Sequence, residues 1–330
     1  MINAMLRLTV RPLWKPGLAI EAVRAHASRS DTRLGRRPPP CPVESTELAG
    51  RPAHWFGAAD LATRNGTLLY LHGGAWCMHL PALYSGFAAA LSNASGLRVL
   101  LLDYRLSPEH PFPAAVDDCF AAYRAMSEGT CGGPAVVAGD SAGGSLTLVT
   151  LMRARDARLP LPGCAVLLSP STDLTFGSPS IRYNADADPM FNAAAMELLH
   201  DIYCPGQERT NPSLSPLFGD WTGLPPLYFL AGSTEMLLDD SVRAHDRATQ
   251  AGVRARIDVW PRLPHVFPLI RMLPESKVAL RQIVEFIEEH RSRLLPLPLP
   301  LPLTEPTAEE RPVGANVVAP PAETTTHASS

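Results

Sequence analysis

The sequence predicts an α/β protein built on a largely parallel sheet with helices on both faces, and three observations carry that reading. Between about residue 54 and residue 293, short apolar runs alternate with stretches of helix length. Several of those runs are apolar throughout, as strands buried on both faces must be, instead of alternating apolar with polar. The chain has 330 residues, of which 46% are apolar and 18% charged, so a large core can be buried.

The elements follow in order. Residues 1 to about 50 are rich in Arg and Pro and end in GRRPPPCP, which predicts an extended linker. The first residues, MINAMLRLTVRPLWKPGLA, are interrupted by Arg7, Arg11 and Lys15 too often for a secretory leader and read as an amphipathic surface helix. GLAIEAVRAHASR forms a short helix with Leu18, Ile20 and Val23 on its apolar side. Strands are expected at 54–58, 67–72, 98–104, 135–139, 164–169, 227–232 and 255–260. Helices are expected at about 81–94, 112–128, 142–158, 238–251 and 276–292. Such alternation implies right-handed crossovers between parallel strands. Residues 173–224 are too long for one crossover, carry a helix at 192–203, and read as an insertion over the edge where α/β proteins bind ligands. The tail 294–330 opens with alternating Leu-Pro, which can neither continue a helix nor join a ladder, and is excluded from the fold as a disordered extension.

Composition excludes several functions. A formal charge of −3 and the lack of a basic stripe with aromatics argue against nucleic acid. No run of about 18 uncharged apolar residues is present, so no membrane span is expected. Six cysteines are scattered without C-x-x-C pairs or zinc spacing. They read as reduced thiols of a cytoplasmic protein with no metal and no cofactor.

The strongest chemical signal is AVVAGDSAGGSLTLVTL, in which Gly139-Asp140-Ser141-Ala142-Gly143 fits G-x-S-x-G. The pattern alone is common. Here an apolar strand runs into the first glycine and a helix leaves the second, the strand–turn–helix setting that lifts a serine above a sheet edge. No lysine follows at phosphate-loop spacing. A second strand ends in His72-Gly73-Gly74-Ala75-Trp76. Acyl transfer needs backbone N–H groups aimed at the developing oxyanion, and adjacent glycines let a backbone approach closely. Gly73, Gly74 and Ala75, with Ala142, are the candidate donors, while His72 reads as a loop-stabilising residue.

HGGAW (72–76), DYRLSPEHPFPAAVDD (103–118), GDSAGG (139–144), NADADPM (184–190), SLSPLFGDWTGLPPLYFLAG (213–232) and PRLPHVF (261–267) occur in one order. That run of motifs resembles the hormone-sensitive-lipase family of α/β-hydrolase esterases over roughly residues 54–292. The resemblance implies an α/β-hydrolase fold with an eight-stranded, mostly parallel sheet. It implies a helical cap made from the N-terminal segment 1–50 and the 173–224 insertion on a catalytic domain of residues 51–293. It also implies hydrolysis of carboxylic esters through an acyl-enzyme. Two positions depart from the family pattern. Ala75 stands where a third glycine is usual, and Glu235 where an aspartate is usual.

In this fold order the base comes late and the acid before it. Among ten histidines, His265 follows the last strand and precedes the last long helix, so it is the candidate base. His245 reads as solvent-facing and His290 as a helix-end residue. Glu235, Asp239 and Asp240 crowd the segment after strand 227–232. Glu235 sits on the loop and is assigned as the acid, with Asp239 second. Asp239 and Asp240 read as caps of the helix that follows. Glu109 reads as a buried hydrogen-bond anchor. Trp76, Tyr183, Met190 and Phe191 suggest an apolar acyl pocket for short- to medium-chain esters. Amide hydrolysis or deacetylation with the same triad, and a non-catalytic small-molecule receptor, are the rival readings. A homodimer is expected by family analogy.

Overall fold

A computed structural model describes residues 2–13, 19–34, 38–129 and 133–291. The Leu-Pro tail, Leu18, residues 35–37 at the start of the expected linker and Cys131 lie outside the described residues.

Eight strands form one sheet: β1 (Val43–Leu48), β2 (Arg51–Phe56), β3 (Thr67–Leu71), β4 (Arg98–Leu102), β5 (Val136–Asp140), β6 (Cys164–Leu168), β7 (Leu227–Gly232) and β8 (Ala255–Trp260). Their order across the sheet is β1-β2-β4-β3-β5-β6-β7-β8. β1 and β2 run antiparallel, as do β2 and β4, and every other pair is parallel.

Seven of the strands match the expected apolar runs. β1 does not, and it begins before the boundary expected at residue 51. Its sequence, VESTEL, is mostly exposed and carries no apolar run to reveal it. Pairing across the sheet makes it a strand. The two residues between β1 and β2, Ala49 and Gly50, both have positive φ (52° and 75°). That matches the turn whose twist suits a two-residue hairpin.

The buried strands explain the continuous apolar runs. Along β3, Leu69 and Leu71 pack on one face while Leu68 and Tyr70 pack on the other. Helices Ala114–Glu128, Ala142–Asp156 and Leu238–Gln250 cover the first face, and helices Pro81–Ser95 and Pro274–Arg291 the second. Burial of such side chains contributes on the order of 1.5–3 kcal/mol each, which is where a two-faced sheet gets its stability.

A third apolar cluster lies apart from these layers. Ile20 and Val23 of helix Ile20–Leu34 join Met196 and Leu199 of helix Ala193–Tyr203. Cys77, just past the glycine loop, Phe191, and Met236, next to Glu235, belong to it too. The helix Ile20–Leu34 is tied down electrostatically as well. Asp31 accepts the N–H groups of Ala82 and Leu83 at 2.9 and 2.8 Å, capping helix Pro81–Ser95 from another element. Arg24 donates to the carbonyl of Cys77 at 2.6 Å and pairs with Glu109.

Glu109 therefore anchors a loop, but it is not buried. Its side chain is 58% exposed, and the hydrogen bond from Arg24 holds its carboxyl down at about 2.

Candidate active site

The strand order reverses between β3 and β5, the switch point where open α/β sheets bind ligands. Leu71 pairs with Gly139 across that seam, so the glycine loop after β3 and the serine after β5 emerge side by side.

Ser141 has φ 51° and ψ −119°, a conformation that L-residues avoid. The turn is held by its surroundings. The Ser141 N–H donates to the Leu168 carbonyl at 2.8 Å, and the N–H groups of Gly144 and Ser171 donate to the Ser141 carbonyl at 3.0 and 3.1 Å. Steric room accounts for the motif's glycines. A Cβ at Gly143 would stand 2.0 Å from the Leu71 carbonyl oxygen, and one at Gly139 would stand 2.3 Å from the Gly143 carbonyl oxygen. Both clashes are with backbone, which cannot swing aside. Gly143→Ala is therefore expected to destabilise the fold by about 3 kcal/mol or more. A thermal midpoint within a degree of wild type contradicts that reading.

His265 Nε2 lies 2.9 Å from Ser141 Oγ, and His265 Nδ1 lies 2.5 Å from Glu235 Oε2. Glu235 is wholly buried. Its other oxygen accepts the Gly232 N–H at 2.6 Å and the Ser169 hydroxyl at 3.0 Å. Ser169 Oγ in turn accepts the N–H of Val266, so one small network fixes both Glu235 and the residue after His265. The longer glutamate is accommodated by using both oxygens: one orients His265 and the other is pinned to the end of β7.

Burial alone would lower the pKa of His265, but the hydrogen bond and charge of Glu235, with the charges of Asp188 and Asp140, outweigh it and hold the value above 6.5. A general base at His265 would work unprotonated, so kcat/KM is expected to rise with pH through a midpoint above 6.5 and then level off. A midpoint below 6.5 in the pH profile contradicts the arrangement.

Asp239 and Asp240, expected as caps of their own helix, serve another segment. Asp240 accepts the N–H groups of Thr172 and Asp173 at 2.7 and 3.0 Å and the Ser178 hydroxyl at 2.5 Å. Burial pushes its carboxyl up to about 7. Asp239 accepts the Ser180 N–H at 2.8 Å and the Tyr183 hydroxyl at 2.7 Å. Both therefore fasten the start of the 173–224 insertion to the helix after β7. Their helix-start position was legible; their partners, some 60 residues earlier, were not.

The glycine loop is strained and clamped. Gly74, Ala75 and Trp76 have φ of 102°, 53° and 56°. A Cβ at Gly74 would meet the Met78 carbonyl at 2.6 Å. Among the described residues, no hydrogen bond takes up the N–H groups of Gly74, Ala75 or Ala142. Gly73 is a correction. Its N–H donates to Asp140 Oδ1 at 2.9 Å, and Asp140 also accepts the hydroxyls of Tyr70 and Tyr84. Gly73 thus supports the loop and has no N–H left for a substrate. His72 is buried, stacked on Tyr104 at 4.3 Å, and bonded through Nδ1 to the Gly73 carbonyl at 2.7 Å. Burial lowers its pKa to about 4, so it stays neutral and structural.

A narrow cavity of about 30 Å³ opens on Ser141, walled by Ala75, Trp76, Phe176, Phe191, Met196 and Leu199 among others. Trp76 and Phe191 were expected there. Met190 does not line it, and Tyr183 lies 57% exposed at Asp239. Phe176, Met196 and Leu199 also wall it, and an apolar position on a helix or in a loop does not by its type tell cavity wall from core. His245 is half-buried with its ring edge-on to Phe229, not solvent-facing.

Among the described residues no group of three or more His, Cys, Asp or Glu is placed to hold a metal. No helix among them is long and apolar enough to cross a membrane.

Residues 68–269 match a family described as having the alpha/beta hydrolase fold. The chain is similar to an acetyl-hydrolase of Streptomyces hygroscopicus, 39% identical over 71% of this chain and 79% of that protein. It is also similar to an esterase of Acinetobacter venetianus, 32% identical over 86% of this chain and 94% of the other. The crystal structure of a hormone-sensitive lipase from a metagenome library superposes with a TM-score of 0.80 at 33% identity. It covers 88% of this chain and 97% of that one.

Proposed function

The chain belongs to the α/β-hydrolase fold family, and on that premise we propose that it hydrolyses carboxylic esters of short to medium acyl chains with Ser141, His265 and Glu235. The observation that carries the reading is the unbroken line from Ser141 Oγ through His265 to Glu235, at 2.9 and 2.5 Å. His265 takes the Ser141 proton as Oγ attacks the ester carbonyl. The N–H groups of Gly74, Ala75 and Ala142 receive the oxyanion. The tetrahedral intermediate collapses as His265 protonates the leaving alcohol. Water, deprotonated by the same imidazole, then frees the acid. No metal or cofactor enters these steps.

Residues of helix Ile20–Leu34 and of the 173–224 insertion form the cap over this site. The acetyl-hydrolase relative favours short acyl groups. The five described cysteines are unpaired, consistent with a cytoplasmic location. The edge strand β8, with Val259 44% exposed, is where a second copy would add to make a dimer.

A panel of 4-nitrophenyl esters from acetate to palmitate tests the proposal. Turnover is expected to be greatest at two to six acyl carbons. Binding of a small apolar ligand with no turnover across the panel favours a receptor instead, and faster cleavage of matched anilides favours amide hydrolysis.

A further inference from the structure

We propose that Asp188 is a positioning residue for the triad, its one carboxylate holding the Phe191 ring over His265 and the Glu235 loop in a fixed relation. The inference rests on the roles given above to Ser141, His265 and Glu235.

Asp188 belongs to NADADPM, a motif that the chemistry of the triad leaves unused. It is wholly buried. Oδ1 accepts the N–H groups of Met190 and Phe191 at 2.7 and 2.9 Å, and Oδ2 accepts the Met236 N–H at 2.7 Å. One side chain therefore joins the insertion to the residue after Glu235. The Phe191 ring that follows stands edge-on to the His265 imidazole, with centroids 5.3 Å apart. A second grip reinforces the first. Asn184 donates to the carbonyls of Ser233 and Glu235 at 3.1 and 2.9 Å, on the same loop. From the far side, Arg7 and Arg11 donate to the carbonyls of Ala185, Asp186, Ala187 and Asp188, holding the turn between these grips.

Asp239 and Asp240 clamp the insertion in the same way, but the Asp188 carboxylate also acts on His265 through its charge. Among the described residues it has no ion-pair partner and is met only by amide N–H groups. The charges that face His265 are Glu235 from the loop after β7, Asp140 from the end of β5, and Asp188 from the insertion, and all three favour the imidazolium. The imidazolium is the species formed as Ser141 attacks, so the Asp188 charge favours it where water is excluded.

The test compares Asp188→Asn with wild type and with Asp239→Asn, which loosens the same insertion away from His265. For a short-chain 4-nitrophenyl ester, Asp188→Asn is expected to lower kcat about ten- to a hundredfold with KM within about twofold. NMR titration of the His265 imidazole is expected to show its midpoint lowered by about half a pH unit to one unit. Asp239→Asn is expected to move neither readout. An Asp188→Asn protein with the wild-type imidazole midpoint, and a kcat no lower than that of Asp239→Asn, overturns the proposal. The titration reads this outcome even in a protein that cleaves no ester, so a lack of esterase activity sinks the functional reading separately. Should Asp188→Asn fail to fold, Asn184→Ala loosens the second grip: an unchanged kcat there overturns the proposal, and a tenfold fall at constant KM supports it.

Discussion

Ser141→Ala is expected to lower kcat for a short-chain aryl ester by about 10⁵- to 10⁶-fold while leaving the thermal midpoint close to wild type. The size follows from losing the bond-forming atom: what remains is the oxyanion hole and binding, which in serine hydrolases supply about 10³- to 10⁴-fold over water. The small structural effect follows from where the strain resides. The φ of 51° at Ser141 is imposed by β5, by the helix Ala142–Asp156 and by backbone hydrogen bonds to the Leu168 and Ser141 carbonyls. Alanine carries the same Cβ into that conformation and leaves those bonds in place. The Ser141 hydroxyl contributes one contact, to His265 Nε2. Steady-state kinetics beside a melting curve reads both halves. Residual turnover within a hundredfold of wild type places the nucleophile elsewhere.

Glu235→Gln carries the second-largest effect, a fall in kcat of about 10³- to 10⁴-fold. Glutamine is close to isosteric, so the loss reports hydrogen-bond polarity. Oε2 must accept from His265 Nδ1–H so that Nε2 is left to accept the serine proton. Oε1 must at the same time accept from Gly232 and Ser169. A carboxamide has one acceptor for these two tasks. Turned either way, its NH₂ faces a donor, so it either favours the wrong histidine tautomer or breaks the anchor to β7. Asp239→Asn removes charge from the hydrogen bonds to Ser180 and Tyr183 and is expected to cost stability with little change in kcat. Full activity in Glu235→Gln together with a crippled Asp239→Asn would transfer the acid role to Asp239.

Much of this site was legible because its chemistry is written at turns. Gly139 and Gly143 are demanded by carbonyl oxygens within 2.3 Å of a missing Cβ, and that steric need has a fixed spacing around Ser141. His265 and Glu235 were placed by the strand that each follows. Gly73 was misjudged because a glycine in such a loop signals close approach without saying what approaches. Its neighbour is Asp140, 67 residues away. β1 was missed because an edge strand with exposed side chains needs no apolar run; its stability comes from its ladder to β2.

Local sequence by itself determined the alternation of strands and helices, the tight turn at Ser141 and the loops that carry His265 and Glu235. Those features depend on periodicity, on turn chemistry and on the absence of a side chain, all readable within a few residues. Only the tertiary structure decided which polar groups meet: Asp140 with Gly73, Asp239 and Asp240 with the 172–180 segment, and Asp188 with Met236 beside Glu235. A buried carboxylate must find donors to be tolerated, but any element that reaches it can supply them. The choice among donors is made by packing across the whole chain.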